Sequence, residues 1–380
     1  MSKVKHVLGI SGGKDSAALA IYLSNKYPQL DFIYYFCDTG KELDETYQLV
    51  KNLEIYLGKK ISRLTSKEPI QAGQNPFDFY YNAYRGYLPS SHARWCTKKM
   101  KLEPFEEFVG NDPVVSYVGI RGDEDREGYI SRKPNIQSVF PFRKNIWSED
   151  VISKVLDKNN RAIIAKLYSQ QLKGSALDNI VDLVMETYKV DPQSKEISMH
   201  IRKDKLNRML DSGVVVFNKV VFNFLKGTEY PLAQEEEYPL VENEDILVRE
   251  DIFRILEESG VGIPGYYHKK EYEVDGQKGE YARSRSGCFF CFFQQKIEWV
   301  WLYEQHPELF KKAMVYENEK EGFTWNSNQE SLKELIHPER MRQIKREHLL
   351  REGQEKSTDS KFLIDILDDT EDTGCTACFI

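Results

Sequence analysis

Ser11-Gly12-Gly13-Lys14-Asp15-Ser16 is the stretch whose residue types and spacing point most directly to chemistry. It follows the apolar run Val7-Leu8-Gly9-Ile10 and precedes the alanine-rich Ala17-Ala18-Leu19-Ala20. Two adjacent glycines let the backbone turn tightly and approach a ligand with no Cβ in the way. A loop that ends at a helix N-terminus aims unpaired N–H groups and the positive end of the helix dipole outward. Lys14 adds a full charge, and Ser11 and Ser16 add hydroxyls. The combination predicts a polyphosphate site. Its spacing is neither Gly-x-x-x-x-Gly-Lys-Ser/Thr nor Gly-x-Gly-x-x-Gly.

Four further groups of residues could take part. Asp38-Thr39-Gly40 ends a second apolar run, Asp31–Cys37, and is either a ligand-facing turn or a plain capping turn. Arg94 and Lys101, in Arg94-Trp95-Cys96-Thr97-Lys98-Lys99-Met100-Lys101, are cations suited to a sulfate or phosphate. Gly119-Ile120-Arg121 leaves a third apolar run, with Arg126 a few residues on; an arginine there can neutralise charge on a transferring phosphoryl group, or the stretch is an acidic-basic surface turn. Cys288-Phe-Phe-Cys291 and Cys375-Thr-Ala-Cys378 share the form Gly-Cys-x-x-Cys-Phe. Such knuckles turn two thiolates towards one metal, and four thiolates suit zinc or a [4Fe–4S] cluster. Reduced, partly buried thiols are the alternative, and Cys37 reads as core.

The elements that must position these residues follow from the periodicity. Strand, helix from about 16 to 26, strand, then helix from about 44 to 57 predicts an α/β fold: a parallel twisted sheet flanked by helices, with ligands at the strands' carboxyl ends. Residues 61–66 and 114–120 read as further strands. The aromatic segment 75–86 suggests a lid or a substrate-facing loop, with packing an equally good explanation, and Ser148 reads as the N-cap of the next helix. We divide the chain into a core over 1–156, a helix-rich insertion over 157–237, and a region over 238–380 that completes the core and ends in Cys-containing helices. Tyr238-Pro239-Leu240 and Asp251-Ile252 echo Phe140-Pro141-Phe142 and Asp150-Val151, as if the later copy rejoins the core.

Composition sets limits. The formal charge is −7, from 53 Lys plus Arg against 60 Asp plus Glu. A chain that grips nucleic acid by itself is usually basic, so any such contact here needs a local basic patch or a partner. No apolar stretch is long enough to span a membrane and no signal-peptide pattern precedes Val7, so a cytoplasmic location is expected. Six cysteines then read as metal or redox chemistry rather than disulfides.

The motif Ser-Gly-Gly-x-Asp-Ser resembles the PP-loop of the N-type ATP pyrophosphatases. Asp38-Thr39-Gly40, the Arg94–Lys101 segment and Gly119-Ile120-Arg121 resemble their counterparts in proteins similar to phosphoadenylyl-sulfate (PAPS) reductase. The resemblance covers the first ~150 residues well and 240–300 moderately. It implies that Ser11, Gly12, Gly13, Lys14, Asp15 and Ser16 hold ATP phosphates, and that Asp38, Thr39, Gly40 and Gly119 line the nucleotide and Mg²⁺ site. Lys14, Asp38 and Arg121 would be catalytic, and Arg94, Lys101 and Arg126 would contact substrate. Iron–sulfur adenylyl-sulfate reductases carry a cysteine at the position of Cys96 and a second where Thr97 stands. On that resemblance Cys96, Cys288 and Cys291 would need Cys375 or Cys378 to complete a cluster.

With the long insertion and late cysteines, the chain looks most like DndC/SspD-type subunits of DNA phosphorothioation systems. That implies cleavage of ATP to AMP and pyrophosphate to activate a DNA backbone phosphate. A cysteine desulfurase and other subunits would be partners, with DNA held through them and a homo-oligomer among the expected assemblies. The alternatives are PAPS or adenylyl-sulfate reduction, tRNA thiolation, and a nucleotide-sensing scaffold. The ending Cys-Thr-Ala-Cys-Phe-Ile departs from the Glu-Cys-Gly-Leu-His of thiol-dependent reductases.

Overall fold

The computed structural model describes residues 3–124, 131, 133–187, 199–326 and 330–355. The chain opens on the alternation expected: β1 (Lys5–Gly9), α1 (Lys14–Lys26), β2 (Phe32–Cys37), α2 (Asp44–Leu57) and β3 (Ile61–Leu64). Four short helices follow: α3 (Lys67–Ala72), α4 (Pro76–Ala83), α5 (Trp95–Thr97) and, after a π turn over Lys98–Leu102, α6 (Glu103–Val109). Strands β4 (Val114–Tyr117) and β5 (Ile136–Val139) complete a five-stranded parallel sheet of order β3-β2-β1-β4-β5. Then come α7 (Glu149–Val155), α8 (Arg161–Gln171), α9 (Ser175–Met185), α10 (Met199–Asp211), α11 (Val214–Leu225) and α12 (Arg249–Glu258). A hairpin of β6 (Lys270–Val274) and β7 (Gln277–Tyr281) precedes α13 (Lys296–Gln305), α14 (Pro307–Val315), α15 (Leu332–Leu335) and α16 (Pro338–Glu355). Among the described residues no helix is long and apolar enough to cross a membrane.

These elements form two compact units. One is drawn from Met1–Leu8, Tyr22–Ile33 and Val109–Ile252. In it β1 registers with β4 from Lys5↔Val114 to Leu8↔Tyr117, and β4 with β5 from Val114↔Ile136 to Tyr117↔Val139. Every residue of β4 and β5 is buried, as parallel strands covered on both faces should be. The apolar α11 buries Phe217, Val220, Val221 and Leu225, and its Asn218 accepts a 2.9 Å hydrogen bond from the Trp147 indole. Past the helices the chain returns beside β5's continuation: Leu247 N–H donates to Phe142 O (3.0 Å) and Asn243 Nδ2 to Pro141 O (2.7 Å). Ser148 precedes α7, but its hydroxyl caps no N–H; Glu149 and Asp150 supply the negative charge at that helix start.

The other unit is drawn from Gly9–Ile21, Tyr34–Phe108 and Phe253–Ile380. Here β2 registers with β3 from Tyr34↔Ile61 to Cys37↔Leu64, and Ile10 N–H donates to Tyr35 O at 2.7 Å. Its core is aromatic. Phe77 lies 4.5 Å from Phe290 between ring centroids, and Phe290 stacks on Trp325 at 4.7 Å. Of the two readings of 75–86, packing holds: the segment is mostly helix α4, begun by an Asn75 cap and Pro76, with Phe77 and Tyr80 buried in this cluster. Its aromatic residues are there to pack.

Candidate functional site

The turn after β1 is a strand–loop–helix junction in which Gly12 is required by shape. Gly12 has φ +75°, and a Cβ there would sit 2.2 Å from Thr46 Cγ2 on α2. A Cβ on Gly13 would meet Ser286 Oγ at 2.7 Å. The loop's N–H groups meet side-chain hydroxyls: Ser11 N donates to Ser16 Oγ (3.1 Å), Gly13 N to Ser11 Oγ (3.3 Å), and Lys14 N to the Tyr267 hydroxyl (3.3 Å). A phosphate held by these three N–H groups would take the place of the hydroxyl oxygens they now meet. The N–H of Gly12 has no partner among the described residues.

A wall far along the chain closes on this turn. Tyr266 donates its hydroxyl to Gly12 O at 2.9 Å, and Ser286 Oγ to Ser11 O at 3.4 Å. Lys14, only 3% exposed, donates from Nζ to Ser284 O (3.3 Å) and lies 3.6 Å from Asp15 Oδ2 and 5.0 Å over the Tyr267 ring. Buried Glu298 anchors the wall: its Oε1 accepts from Ser284 N and Oγ, while its Oε2 accepts from Gln295 N in the capping box of α13. Arg283, 2% exposed, donates from Nη2 to Cys288 O, and its Nε and Nη1 have no partner among the described residues. A buried cation with orphaned N–H groups beside a phosphate-type loop suits an anionic ligand.

The carboxyl end of β2 brings the second predicted group to the same unit. Asp38 Oδ1 accepts from Gly40 N (2.8 Å) and the Tyr47 hydroxyl (2.9 Å), and Oδ2 lies 3.8 Å from Arg63. Gly40, at φ +73°, has no room for a Cβ, because Asn75 Nδ2 would lie 2.2 Å away. Thr39 donates its hydroxyl to Glu42 Oε1 (2.7 Å) and also lies 3.1 Å from Cys288 Sγ. Burial, reinforced by Asp38, holds the Glu42 carboxyl above the usual carboxylate range. A cavity of about 630 Å³ opens here, lined by Gly40, Glu42, Tyr47, Phe289, Lys312 and Tyr316 among others.

Cys288 and Cys291 span a turn closed by Cys291 N–H to Cys288 O (3.1 Å). Burial pushes both thiols up; Glu42 adds to this at Cys288, whereas Arg285, Arg283 and Lys101 oppose it at Cys291. Cys37 is core as expected, its thiol pushed up to about 12 by burial. Cys96 is half-buried against the aromatic cluster. Among the described residues no three His, Cys, Asp or Glu side chains are grouped to hold a metal, and no disulfide forms. Cys375 and Cys378 lie outside the described residues. Mg²⁺ makes a different demand, one or two carboxylates plus substrate phosphates, and Asp38 Oδ2 fits it.

The remaining predicted residues stand as follows. Arg94 is exposed, its Nε donating to Ser91 O at 3.2 Å. Lys101 reaches Glu42, Cys37, Cys288 and Cys291 electrostatically. Gly119 lies in the turn after β4, in the other unit. There Arg121 is buried in ion pairs with Asp123 (2.9 Å) and Glu124 (2.8 Å), so its charge is already balanced. Arg126 lies outside the described residues. Sequence reasoning missed Glu42, Tyr266, Tyr267, Arg283, Ser284, Ser286 and Glu298. Only Ser284 and Ser286 carried a faint signal, as the small polar residues in the run before Cys288.

Residues 5–174 match the family model of the phosphoadenosine phosphosulfate reductase domain. An uncharacterized protein of Methanocaldococcus jannaschii is 32% identical over 155 residues, which is 37% of this chain and 30% of that relative. The chain thus covers under a third of that relative's length. No solved structure matches. Residues 5–174 are thus similar to the phosphoadenosine phosphosulfate reductase domain, and the fold they lie in is a five-stranded parallel sheet flanked by helices.

Proposed function

We propose that this protein cleaves ATP to AMP and pyrophosphate in order to activate a phosphate for sulfur insertion, with a DNA backbone phosphate as acceptor. The observation that carries the reading is the strand–loop–helix turn Ser11–Ser16, in which Gly12 at φ +75° brings buried Lys14 and the partly orphaned guanidinium of Arg283 to one wall. In this reading the loop N–H groups and Lys14 hold the β- and γ-phosphates, with Arg283 as a further cation. Asp38 Oδ2 would hold Mg²⁺, which when bound screens the phosphate charge. The acceptor's phosphate oxygen attacks the α-phosphorus, the α–β bridging bond breaks, and pyrophosphate leaves with the electron pair. The terminal sulfur of a cysteine-desulfurase partner's persulfide then attacks the activated acceptor phosphorus, and AMP leaves with the electron pair of the P–O bond. A thiol reductant cleaves the resulting S–S bond, leaving the phosphorothioate and a disulfide. Positioning and charge neutralisation supply the catalysis, as is general for phosphoryl transfer. DNA phosphorothioation subunits are the expected partners, and the −7 balance is the reason they would help to hold the DNA.

The test is to identify the products of ATP and Mg²⁺ with the purified chain. AMP with pyrophosphate is expected; ADP with orthophosphate overturns the proposal. Lys14→Ala and Asp38→Ala should abolish turnover while circular dichroism stays native. Sulfonucleotide reduction is a second reading, favoured by the domain match and by the Cys288–Cys291 pair. Sulfite release from PAPS without ATP cleavage would select it.

A further inference from the structure

Two guanidinium groups converge on one aromatic ring beside the phosphate turn. Arg94 Cζ lies 5.0 Å from the Phe293 centroid and Arg285 Cζ 5.7 Å from it. Phe292 packs next to Phe293 at 4.3 Å between centroids, with the planes 36° apart. Both rings are half-buried and Arg94 is exposed. Exposed Lys98 follows one turn after Arg94, its N–H bonded to Arg94 O. Arg285 itself stands between Ser284, which takes the Lys14 ammonium, and Ser286, which bonds Ser11 O. This gathering of cations sits in a chain of net charge −7, so it is a local basic patch against the overall balance.

Aromatic faces mixed with arginines suit a ligand that offers flat rings and phosphates at a regular spacing. An unpaired nucleic-acid strand has both, since its bases are open to stacking and its backbone is anionic. A duplex hides its base faces, and an acidic peptide would use the arginines but leave the rings idle. We propose that Phe292, Phe293, Arg94 and Arg285 form a stacking platform for an unpaired nucleotide of a nucleic-acid strand, adjoining the phosphate turn. The inference rests on the reading that a nucleic-acid phosphate is the acceptor, and it adds that the chain itself touches the strand.

The experiment is fluorescence anisotropy of the full chain with labelled oligothymidylate and oligouridylate over about 50 to 200 mM salt. F293A should weaken binding about 5- to 150-fold, the range for loss of one base–aromatic stack, and F293W should restore most of it. R94Q and R285Q should each lower the slope of log affinity against log salt by about 0.7. An abasic oligonucleotide should respond little to F293A. Preference for oligothymidylate or for oligouridylate supports the platform either way. Wild-type binding unchanged in F293A, tighter binding of duplex than of single strand, or no oligonucleotide binding at all would each overturn it. Should F293A unfold, the salt slope of R94Q, a surface change, decides. Pyrophosphate release by the wild-type chain is scored separately, so an inactive phosphate turn and an absent platform give different results.

Discussion

Gly12→Ala is the sharpest perturbation of the phosphate turn, because two independent costs can be worked out. At φ +75° an L residue pays roughly 1–2 kcal/mol for the left-handed backbone. The new Cβ would then stand 2.2 Å from Thr46 Cγ2, against an ordinary contact of 3.4 Å or more. Thr46 is fully buried with its hydroxyl 3.5 Å from Tyr266, so it has little room to retreat. Overpacking of this sort costs about 1–3 kcal/mol, and the sum is roughly 2–5 kcal/mol. Thr46→Ser removes the offending methyl. Alone it should destabilise by about 0.5–1.5 kcal/mol, as deletion of a buried methyl does. In the Gly12→Ala background it should be neutral or stabilising, leaving only the backbone cost. Urea unfolding of the four proteins gives the coupling energy, expected at about 1–3 kcal/mol. Pyrophosphate release should fall in Gly12→Ala and recover only in part in the double variant. Wild-type stability in Gly12→Ala, or additive effects to within about 0.5 kcal/mol, would refute the claim that glycine is needed here for close approach.

Other predictions follow from buried polar groups. His6 is buried with Nδ1 2.8 Å from the Tyr117 hydroxyl, and burial, helped by Lys3, lowers its pKa from 6.5 to about 4. The unfolded chain therefore takes up a proton first as pH falls, and about 3 kcal/mol of stability should be lost between pH 6.5 and 4; His6→Gln should flatten that part of the urea-unfolding pH profile. Glu42 has the opposite sign. Its raised folded pKa means that stability falls as pH rises above the unfolded value near 4.5, and Glu42→Gln should remove that decline, as thermal unfolding across pH 4 to 8 will show. Asn218→Val leaves the buried Trp147 indole N–H without its acceptor and should cost about 1–3 kcal/mol in urea unfolding.

What was legible in the sequence is what must be adjacent in the chain. Successive N–H groups can only surround a phosphate if they belong to consecutive residues, so Ser11–Ser16 announces itself, as does the Asp38-Thr39-Gly40 turn at the end of β2. Helix α2 runs over 44–57 as expected because its apolar residues Leu49, Val50 and Leu53 recur at helical spacing. Where composition hides periodicity the reading slips. Phe77, Phe79, Tyr80 and Tyr81 make α4 look irregular, although Asn75 followed by Pro76 is a sound helix start, its Oδ1 accepting from Phe77 N at 3.1 Å. The hairpin β6–β7 turns on Asp275-Gly276, both at positive φ, a local signal that a search for cysteine chemistry passes over. The far wall is different in kind. Tyr266 meets Gly12 from 254 residues away, Ser284 meets Lys14 from 270, and Ser286 meets Ser11 from 275. A wall needs only to arrive in space, and any small polar or aromatic residue of the right reach can serve. No fixed spacing marks it, and its residues look ordinary until the fold sets them against the turn.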